Sequence, residues 1–363
     1  MPTLAERVVE LAGAIQQIPA PTFQELQRAQ FVRDRLAILG LSDVSLDADG
    51  NVFARRPGQG ASRPVLVTAH TDTVFPAETP LTLTRAGERL NGPGIGDNSL
   101  GVAGLFGLIW ALEGERLPGD LWLAANICEE GLGDLRGMRR VMERLGETVQ
   151  ATVVLEGMTL GYIYHGGIGV RRLRFTARAE GGHSWLNFGR PSAIHHLVQL
   201  AAELTRLSVP AAPRTTFNIG TLAGGTSINT IAREATLDLD LRSEDPAALA
   251  ALVKQVEALA DAQRRQGVLL EMTVIGDRPS GSIPREHPLV QTAARALQDV
   301  GYSAKFDTGS TDANIPLSQG RPCVCIGLTH GGNAHRPDEF IETAPVAKGL
   351  QALAATVRGA FRP

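Results

Sequence analysis

The sequence predicts an α/β fold: a mostly parallel sheet interrupted by an inserted β-α-β-β-α-β unit. Two observations carry this. Short apolar, β-branched runs of the kind that form buried parallel strands recur in both outer parts of the chain, among them Val65-Leu66-Val67-Thr68-Ala69 and Cys323 to Leu328. Between them the periodicity changes to alternation. Leu173, Phe175 and Ala177 share one face of Val170 to Ala179, and Ala235, Leu237, Leu239 and Leu241 share another, the mark of half-buried strands.

In chain order, the opening residues to Gln17 read as an amphipathic helix containing Glu6, Arg7 and Glu10. The Gly-rich turn Gly92-Pro93-Gly94-Ile95-Gly96 precedes an apolar helix from Leu100 to Leu112. In the middle, Val170 to Ala179 is a strand and Pro191 to Leu207 a helix, followed by strands at Thr216 to Ala223 and Ala235 to Leu241. Pro246 to Arg264 is a helix with Asp245-Pro246 as its cap and first residue, and Val268 to Ile275 the last strand. That order is the ferredoxin-like split pattern. The expected domains are therefore a discontinuous one, residues 1–167 and 278–363, and an insert at 168–277. A long insertion costs little closure entropy when its ends lie close together.

Composition bounds the function. With 363 residues, 43% of them apolar, the chain can bury a large core and fill two domains. A net charge of −3 with no basic run argues against a nucleic-acid partner. The start lacks the charged and apolar regions of a secretion signal, and no apolar run reaches membrane-spanning length. Cys128, Cys323 and Cys325 cannot form a disulfide framework. A cytoplasmic, membrane-free protein is expected.

Metal-ligand residues gather at strand ends. His70, Glu130, Glu156 and His335 each follow an apolar stretch, and in an open α/β sheet the carboxyl ends of the strands form the ligand-binding rim. Imidazole plus carboxylate suits zinc, whereas calcium or magnesium would call for oxygen alone. The ligands exceed what one tetrahedral ion needs but suit two ions sharing a carboxylate, with Asp97 in its Gly-rich turn as the expected bridge. Asp72, two residues beyond His70, can point the same way and fix its tautomer. Glu129 should project to a different side from Glu130 and act as general base.

Singly, these signals are weak. A His-x-Asp is commonly a surface pair, Glu129-Glu130 could be a solvated helix start, and His330 lies as close to the last strand as His335. Other catalytic templates fail: Gly92-x-Gly94-x-Gly96 has the wrong spacing for a dinucleotide fingerprint, and no Gly-x-Ser-x-Gly or His-Glu-x-x-His occurs.

Together, His70-Thr71-Asp72, Gly-x-Gly-Asp97-Asn98, Glu129-Glu130-Gly131, Glu156 and His335-x-x-Asp338-Glu339 resemble the dizinc family of aminoacylase, acetylornithine deacetylase, succinyl-diaminopimelate desuccinylase and glutamate carboxypeptidase. The resemblance extends to the opening helix with Ile18-Pro19-Ala20-Pro21-Thr22 and Glu25. It implies one Zn²⁺ on His70, Asp97 and Glu156 and another on Asp97, Glu130 and His335, with Co²⁺ or Mn²⁺ as substitutes. It also implies Glu129 as base and Asp72 as the orienter of His70.

In the insert, Gly181-Gly182-His183-Ser184, Gly224-Gly225-Thr226-Ser227-Ile228-Asn229 and Arg242 resemble the family's substrate contacts. They imply His183 on the oxyanion, Asn229 on substrate and Arg242 on a substrate carboxylate, in a lid that also forms a homodimer. Ala232 departs from the proline common after the Asn motif. The implied activity is hydrolysis of an amide next to a free carboxylate in an N-acyl amino acid or short peptide. Glu156 points to deacylases and carboxypeptidases, whereas Ser310-Thr311-Asp312-Ala313-Asn314 looks more like di- and tripeptide aminopeptidases. A relative that binds ligand without turnover is the reading from another class, and the intact Glu129 speaks against it.

Overall fold

The computed structural model describes residues 2 to 362. The chain divides into two compact units, Met1–Gly167 with Gly281–Pro363, and Ile168–Ser280.

The first unit is built on a nine-stranded sheet. Along it lie Ser42–Leu46, Val52–Arg56, Leu121–Asn126, Val65–His70, Ala151–Glu156, Cys323–Gly327, Tyr162–Gly167 and Gly281–Ser282, and Lys305–Gly309 pairs with Tyr162–Gly167. The four strands from Leu121–Asn126 to Cys323–Gly327 run parallel to one another. Every residue of Val65–His70 is buried, as the apolar run requires of a strand covered on both faces. His70 stands opposite Asn126, and Glu156 opposite Gly327, so the parallel strands end at a common rim. Helix Leu100–Ala111 is buried from Leu100 through Ile109 and packs among the core side chains with helices Leu4–Gln16 and Val346–Ala360. The first helix opens with a capping box, Thr3 Oγ1 accepting from the Glu6 N–H while Glu6 Oε2 accepts from that of Thr3.

The second unit has the β-α-β-β-α-β order. Strands Gly169–Ala179, Thr215–Gly224, Glu234–Ser243 and Val268–Arg278 form an antiparallel sheet with Gly169–Ala179 and Glu234–Ser243 at its centre. Leu173, Phe175, Leu237, Leu239 and Leu241 pack on helices Ala193–Leu204 and Pro246–Ala262. Asp245 caps the second helix, accepting from the Ala248 N–H at 2.7 Å. The other face is polar, with Arg172 to Asp240 (3.1 Å) and Arg174 to Asp238 (2.7 Å) bonded directly across the central strand pair. The last strand runs three residues past Ile275, since its pairing with Gly169–Ala179 outlasts the alternation through an irregularity between Val274 and Gly276.

Candidate dinuclear metal centre

His70 and Glu156 end parallel strands, whereas Asp97, Glu130 and His335 reach the same rim from loops. His70 Nε2 lies 3.1 Å from Asp97 Oδ1 and 3.7 Å from Glu156 Oε2. His335 Nε2 lies 3.2 Å from Asp97 Oδ2 and 3.2 Å from Glu130 Oε1. Asp97 thus turns one oxygen to each group. Donors at about 2.0–2.2 Å from a tetrahedral ion stand about 3.3–3.6 Å apart, because the tetrahedral edge is about 1.63 times the bond length. The four spacings lie within about 0.2 Å of that range, close to what two such ions sharing Asp97 would require. His330, the competitor of His335, instead packs edge-on against Tyr302 with ring centroids 5.5 Å apart.

Electrostatics support the same fit. Asp72, Asp97, Glu129, Glu130 and Glu156 crowd around two imidazoles. Burial raises Glu130 and Glu156 to about 7. Asp97 is held low despite its burial, by His335 and His70. The His70 ring is pushed well above its ordinary value even though burial opposes its charge, because Asp72, Asp97 and Glu156 outweigh it. His335 rises to about 10 through Asp97 and Glu130. The chain alone offsets its carboxylates with protons on the histidines and on the raised carboxyls, and divalent cations among these N and O donors would replace those protons.

Asp72 does more than face His70. Its carboxylate accepts from the N–H groups of Glu129 and Glu130, both at 2.9 Å, and from Thr22 Oγ1 at 2.9 Å. Around His70 Nδ1 lie the Asp72 carbonyl oxygen at 3.1 Å and its Oδ1 at 3.4 Å. One buried carboxylate therefore fixes both the ring and the Glu129-Glu130 backbone. Glu129 and Glu130 are both buried, not at a solvated helix start, and Cys128 before them has φ 55°. Glu129 offers an oxygen within 4.8 Å of donor atoms of His70 and Glu130, which brings it against the centre.

Several residues of the motifs support the centre from beside it, in roles that sequence spacing does not reveal. Glu339 is fully buried and accepts from the N–H groups of Gly96 (2.7 Å), Asp97 (2.9 Å) and Gly94 (3.2 Å), so it grips the loop that presents Asp97. Its neighbour Asp338 is exposed and pairs with Arg336, and only the fold separates their roles. Asn98 donates to the Leu155 carbonyl (2.8 Å) and accepts from the Gly157 N–H (2.9 Å), tying that loop to the strand bearing Glu156. Asp312 is buried and accepts from Asn126 Nδ2 at 2.7 Å; burial pushes its carboxyl well above the usual range.

The second unit contains His183, Asn229 and Arg242. It brings the first two together: His183 pairs with Thr230, and the Ser184 N–H donates to the Asn229 carbonyl at 2.9 Å. Arg242 does not join them. It sits at the far end of strand Glu234–Ser243, where its Nε donates to Asp240 Oδ1 at 2.7 Å.

Known proteins place the chain. Residues 66–359 match the model of peptidase family M20/M25/M40. The chain is 27% identical over 346 residues to a succinyl-diaminopimelate desuccinylase of Corynebacterium glutamicum, covering 91% of this chain and 90% of the relative. It is 28% identical over 325 residues to an acetylornithine deacetylase of Erwinia tasmaniensis, covering 85% and 82%. In fold it is similar to a tripeptidase from Staphylococcus aureus (TM-score 0.83, 19% identity, 99% of each chain). It is also similar to a dinuclear metal-binding peptidase of Bacillus subtilis (TM-score 0.73, 17% identity, 99% of this chain and 98% of that one). With the family model covering residues 66–359, and in them all six clustered donor residues, the chain belongs to peptidase family M20/M25/M40 and is a metallohydrolase of that family.

Proposed function

We propose that the protein is a dizinc deacylase that cleaves the amide of an N-acyl amino acid beside a free carboxylate. The observation that carries this is Asp97, whose two oxygens face two separate donor groups beside Glu129. The mixed imidazole and carboxylate donors suit Zn²⁺, with Co²⁺ and Mn²⁺ as substitutes. Such a pair of ions supplies Lewis acidity toward the scissile carbonyl and makes water a stronger acid. Glu129 takes the proton of the attacking water and delivers it to the leaving amine. Asp72 keeps His70 oriented and holds Glu129 in place by its own backbone N–H. His183 donates to the developing oxyanion, Asn229 contacts substrate, and Arg242 leaves Asp240 to grip the substrate carboxylate.

The active form is a homodimer through the inserted unit, which acts as a lid. From Glu234, which follows three residues after the Thr230–Ile231 segment paired with Gly182–His183, to Arg242 the strand advances eight residues, about 26 Å at roughly 3.3 Å each, too far for both ends to touch one small substrate. Residues of two chains would complete each site. The deacylase reading follows the desuccinylase and deacetylase relatives. The cellular site is the cytoplasm, in keeping with three free, buried cysteines. No helix among the described residues is long and apolar enough to cross a membrane.

The test is a screen of N-acyl amino acids against unblocked di- and tripeptides, with zinc, cobalt and manganese supplied separately. Turnover confined to the acylated substrates is expected. Cleavage confined to unblocked peptides would replace this reading with an aminopeptidase, and no turnover with any metal would leave a ligand-binding relative.

A further inference from the structure

We propose that the turn from His183 to Asn187 fixes the His183 ring as the neutral tautomer with its proton on Nε2, and that Asn187 is the positioning residue that holds this turn. The proposal deepens the substrate-contact role given to His183 above and rests on that role for its consequence. The ring is tied down by backbone donors. The N–H of Trp185 donates to His183 Nδ1 at 3.2 Å, and that of Leu186 approaches the same atom at 3.4 Å. A ring nitrogen that accepts a hydrogen bond carries no proton, so in the neutral imidazole the proton resides on Nε2. The opposite tautomer would set an N–H against two backbone N–H groups.

Asn187 closes the turn from both sides. Its N–H donates to the His183 carbonyl at 2.9 Å, and its Oδ1 accepts from the His183 N–H at 2.9 Å. Gly182 makes room for that amide. Its φ is 146°, and a Cβ there would stand 2.6 Å from Asn187 Oδ1, so a side chain at 182 would push the amide away. The consequence concerns the sign of an interaction. An Nε2–H group donates to a carbonyl oxygen and more strongly to the oxyanion it becomes, whereas a lone pair at Nε2 would repel both. The turn sets this polarity before substrate arrives, so no tautomer change accompanies the reaction.

The experiment is a long-range ¹H–¹⁵N correlation on full-length, metal-loaded protein labelled with ¹⁵N-histidine, with the His183 signals assigned by their loss in His183→Gln. A bare Nδ1 and a protonated Nε2 are expected; the reverse pattern, or averaging between tautomers, overturns the proposal. Asn187→Ala should average the two nitrogens and lower kcat roughly tenfold to a hundredfold, with KM and metal content little changed. Asn187→Asp retains an oxygen acceptor and should retain the wild-type pattern. Gly182→Ala should behave as Asn187→Ala does. An unaltered ring pattern in both Asn187→Ala and Gly182→Ala removes Asn187 from the positioning role. Wild-type turnover by His183→Gln, with the expected tautomer present, would refute the substrate-contact role while leaving the tautomer assignment intact.

Discussion

Residue identity sets the chemistry through the surroundings each side chain meets. Glu129 and Glu130 are chemically the same and adjacent, yet Glu130 has an oxygen 3.2 Å from His335 and groups with it and Asp97, whereas Glu129 groups with His70 and Glu130. Replacing Glu129 with Gln keeps size and polarity but removes basicity. Turnover should then fall by roughly 10²–10⁴ with metal content unchanged, as single-turnover kinetics and elemental analysis would show. His196 offers a contrasting test, on stability. It is buried in the second unit with neither ring nitrogen hydrogen-bonded among the described residues, and burial, aided by the charge of Arg265, lowers its affinity for a proton. The unfolded chain takes up that proton near its ordinary pKa of 6.5, whereas the folded chain resists it, so stability declines as pH falls from about 6.5 toward the lowered folded value. Thermal melts between about pH 7.5 and about pH 5.5 should show a larger drop in Tm for wild type than for His196→Leu, and parallel slopes would exclude His196 as the source.

At the scale of elements, the site depends on how loops are gripped. The loop carrying Asp97 is fastened by Glu339 on one side and by Asn98 on the other, and the chain at Gly157 passes so close that a Cβ there would lie 2.1 Å from the Gly96 carbonyl oxygen. Glu339→Ala would leave the N–H groups of Gly94, Gly96 and Asp97 without their acceptor, at about 1–3 kcal/mol for each that stays dry. The expected result is a lower Tm and a loss of bound metal in the same variant, with Glu339→Gln between the two. Full metal content in Glu339→Ala would show that Asp97 is held by other contacts. The strands and helices themselves were legible in the sequence, because Val65–His70 and Glu234–Ser243 write their burial into apolar runs and alternation. The grip of Glu339 was not, since it joins residues some 240 apart and no local pattern separates it from exposed Asp338.

For the whole molecule, the prediction is assembly of each site from two chains. A His183→Ala subunit and a Glu129→Gln subunit would each be nearly inactive alone. If His183 serves the partner's site, mixing them under subunit exchange should create hybrid dimers with one working site each, and activity should return. A dimer that exchanges and stays inactive would confine His183 to its own chain. The same preparations should approach two metal ions per chain by elemental analysis. A single tightly bound ion, with activity indifferent to any second, would overturn the shared role of Asp97.

The sequence by itself determined the fold class and the β-α-β-β-α-β insert, because apolar periodicity is a local property that burial enforces, and strand-end position with the family motifs named the candidate metal donors that converge. Only the tertiary structure showed how His335 meets Asp97 while His330 packs on Tyr302, that Asp72 fastens the Glu129-Glu130 backbone as well as facing His70, and that Arg242 sits at the far end of strand Glu234–Ser243 bonded to Asp240. The first two of those outcomes turn on hydrogen bonds and distances between residues remote in the chain, which spacing along the sequence does not encode.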